Sequence, residues 1–103
     1  MKYKVFVYGT LRDISVRKTV LGHHQSSITA SLKGFIMSSI ALDGISYPII
    51  IEDPLSTEII EGEYFEVDQT DLDNLDWYES TAYHRKEVEL ENGLKAWVYY
   101  QPK

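Results

Sequence analysis

The order of strand-like and helix-like segments predicts an α+β fold, a mixed, barrel-like β-sheet with two short helices beside it. Three observations carry this. A strand, a helix, several strands, a second helix and a closing hairpin follow one another, which is neither regular βαβ alternation nor an all-β repeat. The opening strand is apolar on both faces, as in a sheet covered on two sides. Two strong two-residue turn signals, Asp43-Gly44 and Asn92-Gly93, each lie between strand-like runs.

From Tyr3 to Tyr8 every residue but Lys4 is apolar or aromatic, a pattern that β-branched and ring side chains favour in buried strands. The strand ends at Gly9. Asp13 or Ser15 is placed to cap a helix running to Leu21, with Val16 and Val20 on one face and Gly22 just past its end. Ser26 to Ser38 alternates loosely, with Ile28, Ala30, Leu32 and Gly34 in phase, and fits a strand or a loop closing into one.

Met37 to Leu42 and Ile45 to Ile51 flank the Asp43-Gly44 turn as a hairpin, and Tyr47-Pro48 disfavours helix there. Ile59 to Val67 reads as a strand with Ile60, Gly62, Tyr64 and Glu66 on one face. A glycine in mid-strand points to close backbone approach. Asp68 or Thr70 can cap a helix placed at Thr70 to Glu79, in which Leu72, Leu75 and Tyr78 or Glu79 recur at helical spacing. Tyr83 to Leu90 and Ala96 to Tyr100 then form the closing hairpin.

The 103 residues show no composition shift, repeat or low-complexity run, so a single domain over residues 1–103 is expected. Sixteen acidic against ten basic side chains give a net charge of −6, which repels polyphosphate backbones and argues against a nucleic-acid partner. No run approaches membrane-spanning length, and the amino terminus enters a strand pattern rather than an apolar signal region. The lack of cysteine excludes thiol catalysis, Cys-ligated zinc and iron–sulfur clusters, and makes a reducing, cytoplasmic setting the default.

Two places carry chemistry. Tyr8-Gly9-Thr10-Leu11-Arg12 follows a strand and precedes a helix, where a tight turn leaves backbone amides free to meet a carboxylate or phosphate and Thr10 adds a hydroxyl. Taken alone, it reads first as a plain turn with glycine for positive φ and Arg12 as a solvated charge. The second is Leu75-Asp76-Trp77-Tyr78-Glu79, followed by Tyr83 and Arg85. Burial beside rings would raise the Glu79 pKa, and a close Arg85 would lower it.

His23-His24 invites a metal reading, but neighbours on an extended segment point to opposite faces and no further ligands lie near, which favours a surface or loop role. Glu66, Asp68, Asp71, Asp73 and Asp76 spread around a helix start and read as dipole and solvation effects. Trp97, Tyr99 and Tyr100 read first as strand packing, though one phenol could reach a pocket mouth.

Together these segments resemble the gamma-glutamylcyclotransferase-like family, which includes butirosin-pathway cyclotransferases and small bacterial members. The resemblance runs through Val5 to Asp13, Val20-Leu21-Gly22, Tyr47-Pro48, Ile60 to Glu63, Leu75-Asp76, Glu79 and Tyr83-His84-Arg85. It implies a small-molecule gamma-glutamyl substrate whose alpha-carboxylate and amine end meets the turn at Gly9, Thr10 and Leu11. Tyr8 and Tyr83 would wall the pocket, Arg85 would join them in binding substrate and Glu79 would be the acid/base.

The implied reaction cyclises the gamma-glutamyl group to 5-oxoproline, releases an amine and needs no cofactor. Ser80, where close relatives commonly carry Gly, and the short Ser80-Thr81-Ala82 link depart from the pattern and bear on loop shape. A non-catalytic module that binds a small carboxylated metabolite on the same fold is the rival reading. A different amide-directed reaction, such as trimming a gamma-glutamyl protecting group, is a third.

Overall fold

A computed structural model describes residues 2–23, 25–79 and 83–101, with the side chains of Thr10 and Leu42 excepted. The chain runs β1 (Tyr3–Val7), a 3-10 turn (Thr10–Arg12), α1 (Ile14–Leu21), β2 (Ile28–Leu32), β3 (Phe35–Leu42) and β4 (Ile45–Glu52). It continues through β5 (Ile60–Val67), α2 (Gln69–Glu79), β6 (His84–Glu89) and β7 (Lys95–Tyr100). Five strands form a mixed sheet in the order β2-β5-β1-β7-β6, and β3 and β4 form a separate two-stranded ribbon.

Central β1 runs antiparallel to β5 and parallel to β7. Because neighbouring side chains of a strand point to opposite faces, β1 feeds two cores. Val5 and Val7 join Phe65, Val67 and Tyr99 under Leu11, Leu21, Leu72 and Leu75 of the helical layer. Phe6 joins Ile60, Tyr64, Ala96 and Val98 under Phe35 and Ile50 of the ribbon. The expected burial of the first strand on both faces therefore holds.

The sheet curls without closing into a barrel. The turn after β6 reaches β2 through one bond, in which the Glu91 N–H donates to the Ser31 carbonyl at 3.0 Å, and the Lys33–Glu91 ion pair at 3.5 Å supports it. No ladder joins β2 to β6, so both remain edges. The ribbon is tied to the sheet by a parallel bridge between Ile51 and Gln101, where the Gln101 N–H donates to the Ile50 carbonyl.

Local chemistry sets the element ends. Asp13 caps α1 by accepting from the Ser15 and Val16 amides, and Gly22 closes it at φ 82°. The most buried residues of α1 are Arg17 and Leu21 rather than Val16 and Val20, which flank them. Asp68 accepts from the Asp71 amide at 2.8 Å while Asp71 accepts from the Asp68 amide, a reciprocal cap. It starts α2 at Gln69, one residue before the expected boundary. Residues 28–32 are a true strand, and Gly34 at φ 89° makes the turn into β3.

Gly62 answers its expectation directly. A Cβ there would stand 2.3 Å from the Val7 carbonyl oxygen and 2.6 Å from the Phe6 ring, so only glycine lets β5 lie against β1 at this point.

Candidate functional site

The site lies where β1 ends, at the seam between the helical layer and the ribbon. Gly9 marks it, and its role is not the positive φ that a plain turn would use, since Gly9 is outside the positive-φ glycines. A Cβ on Gly9 would meet Pro48 Cγ at 3.0 Å, so the glycine admits β4 against the turn. Its carbonyl accepts from the Arg12 amide at 3.0 Å, closing the 3-10 turn. A turn of this kind leaves its leading amides without partners inside the helix.

The Leu11 side chain is buried in the helical core, so the expected part for this residue in holding substrate falls to its backbone. The Thr10 hydroxyl lies outside the described side chains, and Ser80, Thr81, Ala82 and His24 lie outside the described residues.

Tyr8 is half-buried, and its hydroxyl donates to the Tyr99 carbonyl. Burial raises its pKa, with the nearby Tyr83 and Glu79 adding to the rise. The Tyr83 hydroxyl donates to the Pro48 carbonyl at 2.9 Å, joining the segment ahead of β6 to the ribbon. Burial and then Glu79 push the Tyr83 phenol up to about 12, with smaller effects from Tyr78 and Tyr47. Tyr99 is buried, and burial followed by its bond to Asp76 raises its phenol as well.

Glu79 ends α2. Its charge adds to the raised pKa of the Tyr8, Tyr83 and Tyr99 phenols. Burial pushes its carboxyl up to about 7. Of the two opposing influences expected on Glu79, burial wins, because Arg85 is engaged elsewhere.

Arg85 Nε lies 3.0 Å from Asp76 Oδ1, and its guanidinium carbon stands 4.4 Å from the Trp97 ring centroid. Arg85 on β6 thereby ties α2 to β7. Trp77 is 85% exposed and does not bury Glu79.

Three contributors were not legible as such in the sequence. Asp76 does more than solvate a helix start, since it accepts from the Tyr99 phenol at 2.7 Å as well as pairing with Arg85. Tyr99 serves in the core and in this bond at once. Arg17 is 2% exposed, donates to the Leu11 and Gln25 carbonyls at 3.1 Å each, and stands 5.0 Å over the Phe65 ring. It thereby braces the 3-10 turn from below. Its position four residues before Leu21, on the same helical face, was the available signal.

Around this site, Arg12 pairs with Glu63 at 3.1 Å, so it is not simply a solvated charge. The Ser27 hydroxyl, followed by Arg12, holds the Glu63 carboxyl below the usual range. His23 Nε2 lies 2.9 Å from Asp71 Oδ1, a contact between the end of α1 and the start of α2. Among the described residues no group of His, Asp and Glu is arranged to hold a metal ion. A separate 310 Å³ hollow, lined by Lys4, Gln25, Ile28 and Glu66 among others, contains none of the site residues. No helix among the described residues is long and apolar enough to cross a membrane.

Comparison with known proteins follows the same outline. No curated protein matches the chain closely enough to count as a relative. Among solved structures, At3g28950.1 from Arabidopsis thaliana is 26% identical with a TM-score of 0.81, covering 97% of this chain and 62% of its own. At5g39720.1 from the same plant is 28% identical with a TM-score of 0.76, over 96% of this chain and 68% of its own. A gamma-glutamyl cyclotransferase shares the fold at 15% identity and a TM-score of 0.82, over 98% of this chain and 67% of its own. The chain thus spans about two thirds of the length of these structures. The family model described as gamma-glutamyl cyclotransferase, AIG2-like, matches residues 5–103, and the chain belongs to that family.

Proposed function

We propose that this chain cyclises a gamma-glutamyl amine or amino acid to 5-oxoproline and releases the amine, with Glu79 as general acid/base. The observation that supports this most is the carboxyl of Glu79, half-buried at the end of α2 and raised to about 7 by burial. A carboxyl so poised can both accept and return a proton near neutrality.

In this reading the substrate's alpha-carboxylate meets the leading amides of the turn from Gly9 to Leu11, and Tyr8 and Tyr83 wall the gamma-glutamyl chain. Glu79 takes a proton from the substrate ammonium. The freed amine attacks the gamma-carbonyl carbon, the new C–N bond closes a five-membered ring, and the old amide bond breaks as Glu79 delivers the proton to the departing nitrogen. Holding the substrate folded for this attack contributes most, because an intramolecular closure gains chiefly from frozen rotors. Such chemistry asks for no cofactor, and the cysteine-free composition suits a cytoplasmic setting.

The test is Glu79→Gln, assayed for 5-oxoproline release across a panel of gamma-glutamyl compounds. A loss of roughly 10²–10⁴-fold in kcat is expected, with binding retained. Undiminished release by the variant would refute the role of Glu79. Tight ligand retention with no turnover by the unmodified chain would instead return the binding-module reading.

A further inference from the structure

Asp76 and Glu79 stand three residues apart on α2 and so share a helix face, yet they keep opposite company. Asp76 Oδ1 accepts from the Tyr99 phenol at 2.7 Å and pairs with Arg85 Nε at 3.0 Å. Arg85 is held from the other side by the Trp97 ring. Tyr99 feels Asp76, Arg85 and Glu79 together, so these groups surround one phenol. Even so, burial raises the Glu79 carboxyl, and among the described residues Glu79 forms no ion pair.

We propose that Asp76 is a positioning residue for Glu79: it claims the Arg85 guanidinium, ties the last turn of α2 to β6 and β7, and leaves the Glu79 carboxyl without a counter-ion. Two carboxyls one turn apart are thereby sorted, one paired with a cation and a phenol, the other left without a counter-ion, as acid/base pairs in active sites commonly are. The groups facing Glu79 are Tyr8 just past β1, Tyr83 ahead of β6 and Tyr99 from β7. All three phenols are raised and stay neutral over the working range. The consequence for turnover rests on the reading of Glu79 as acid/base, whereas the charge pairing does not.

The experiment follows the Glu79 carboxyl by carbon-13 NMR through a pH titration of the full chain, unmodified and as Asp76→Asn, Arg85→Gln and the double variant. The pH profile of kcat/KM with a gamma-glutamyl amine is measured alongside. Asp76→Asn frees Arg85 to favour the Glu79 anion and lowers its midpoint by about one pH unit or more. Arg85→Gln leaves an unpaired anion one turn away and raises the midpoint. The double variant removes both charges and returns it to the unmodified value, and the acidic limb of the rate profile moves in step.

Midpoints that stay put in both single variants, or move in the same direction, overturn the proposal. Should Asp76→Asn fail to fold, Arg85→Gln decides alone, and a midpoint unchanged or lowered overturns it. If the midpoints move as stated while even the unmodified chain releases no 5-oxoproline, the proposed function fails and the pairing stands.

Discussion

The two faces of the five-stranded sheet bury similar aliphatic and aromatic side chains but are covered by different elements, helices on one side and a two-stranded ribbon on the other. Among the described residues, both buried charged side chains, Arg17 and Asp71, belong to the helices, as do Asp76 and Glu79. A helix satisfies its own backbone and is free to present polar side chains at intervals of three and four. The ribbon works differently. It offers the site mostly backbone and shape, namely the Pro48 carbonyl that receives Tyr83 and the Pro48 ring that crowds Gly9. One face therefore tunes charge, and the other closes the volume in which that charge acts.

The comparison breaks most completely at Gly62, which serves both faces. Gly62→Ala would drive a methyl group into the Val7 carbonyl and the Phe6 ring, with little room to relax in a close-packed interior. The expected outcome is loss of the cooperative unfolding transition, read by circular dichroism during heating. A variant with an unchanged transition would mean that β1 and β5 can separate freely.

A sharper contrast pairs one leucine from each face, Leu75 under α2 and Leu32 on the ribbon side, both almost fully buried. Truncation to alanine should cost each about 2–5 kcal/mol in denaturant titrations. Under the proposed function, only Leu75→Ala, one residue from Asp76 and one turn from Glu79, should also lower kcat of the folded chain, by roughly 10- to 100-fold through misplacement. Equal kcat values for the two folded variants would remove the division of labour between the faces.

The smallest expected effect concerns stability against pH. The Glu79 carboxyl has a folded value of about 7 against an ordinary 4.5, so folding favours its protonated form. Its contribution is fully present below pH 4.5 and is lost as pH rises through about 7. Glu79→Gln, which mimics the neutral form, should match the unmodified chain near pH 4 and exceed it above pH 8. The gain should be about 1–2 kcal/mol after solvent screening of a half-buried group. Identical unfolding curves for the two at pH 8 would show that Glu79 is fully hydrated.

Much of this arrangement was readable from local signals. Asp13 and Gly22 bracket α1, Asp43-Gly44 and Asn92-Gly93 turn the hairpins, and Gly62 marks the close approach of two strands, because caps, turns and glycine contacts depend on a few adjacent residues. Glu79 could be singled out by its motif and its aromatic neighbours. Its environment could not, since burial would raise its pKa and Arg85 would lower it, and only the pairing of Arg85 with Asp76 and Trp97 decides between them.

The sequence by itself determined most of the elements, the caps and turns that bound them and the residue types available for chemistry, all of which follow from interactions between near neighbours in the chain. The tertiary structure alone decided that the sheet curls without closing, that Gly9 admits Pro48, that Arg17 braces the turn, and which carboxyl on α2 is paired. Those outcomes depend on side chains brought together from distant positions, and the energy of a charge is set by what surrounds it rather than by what precedes it.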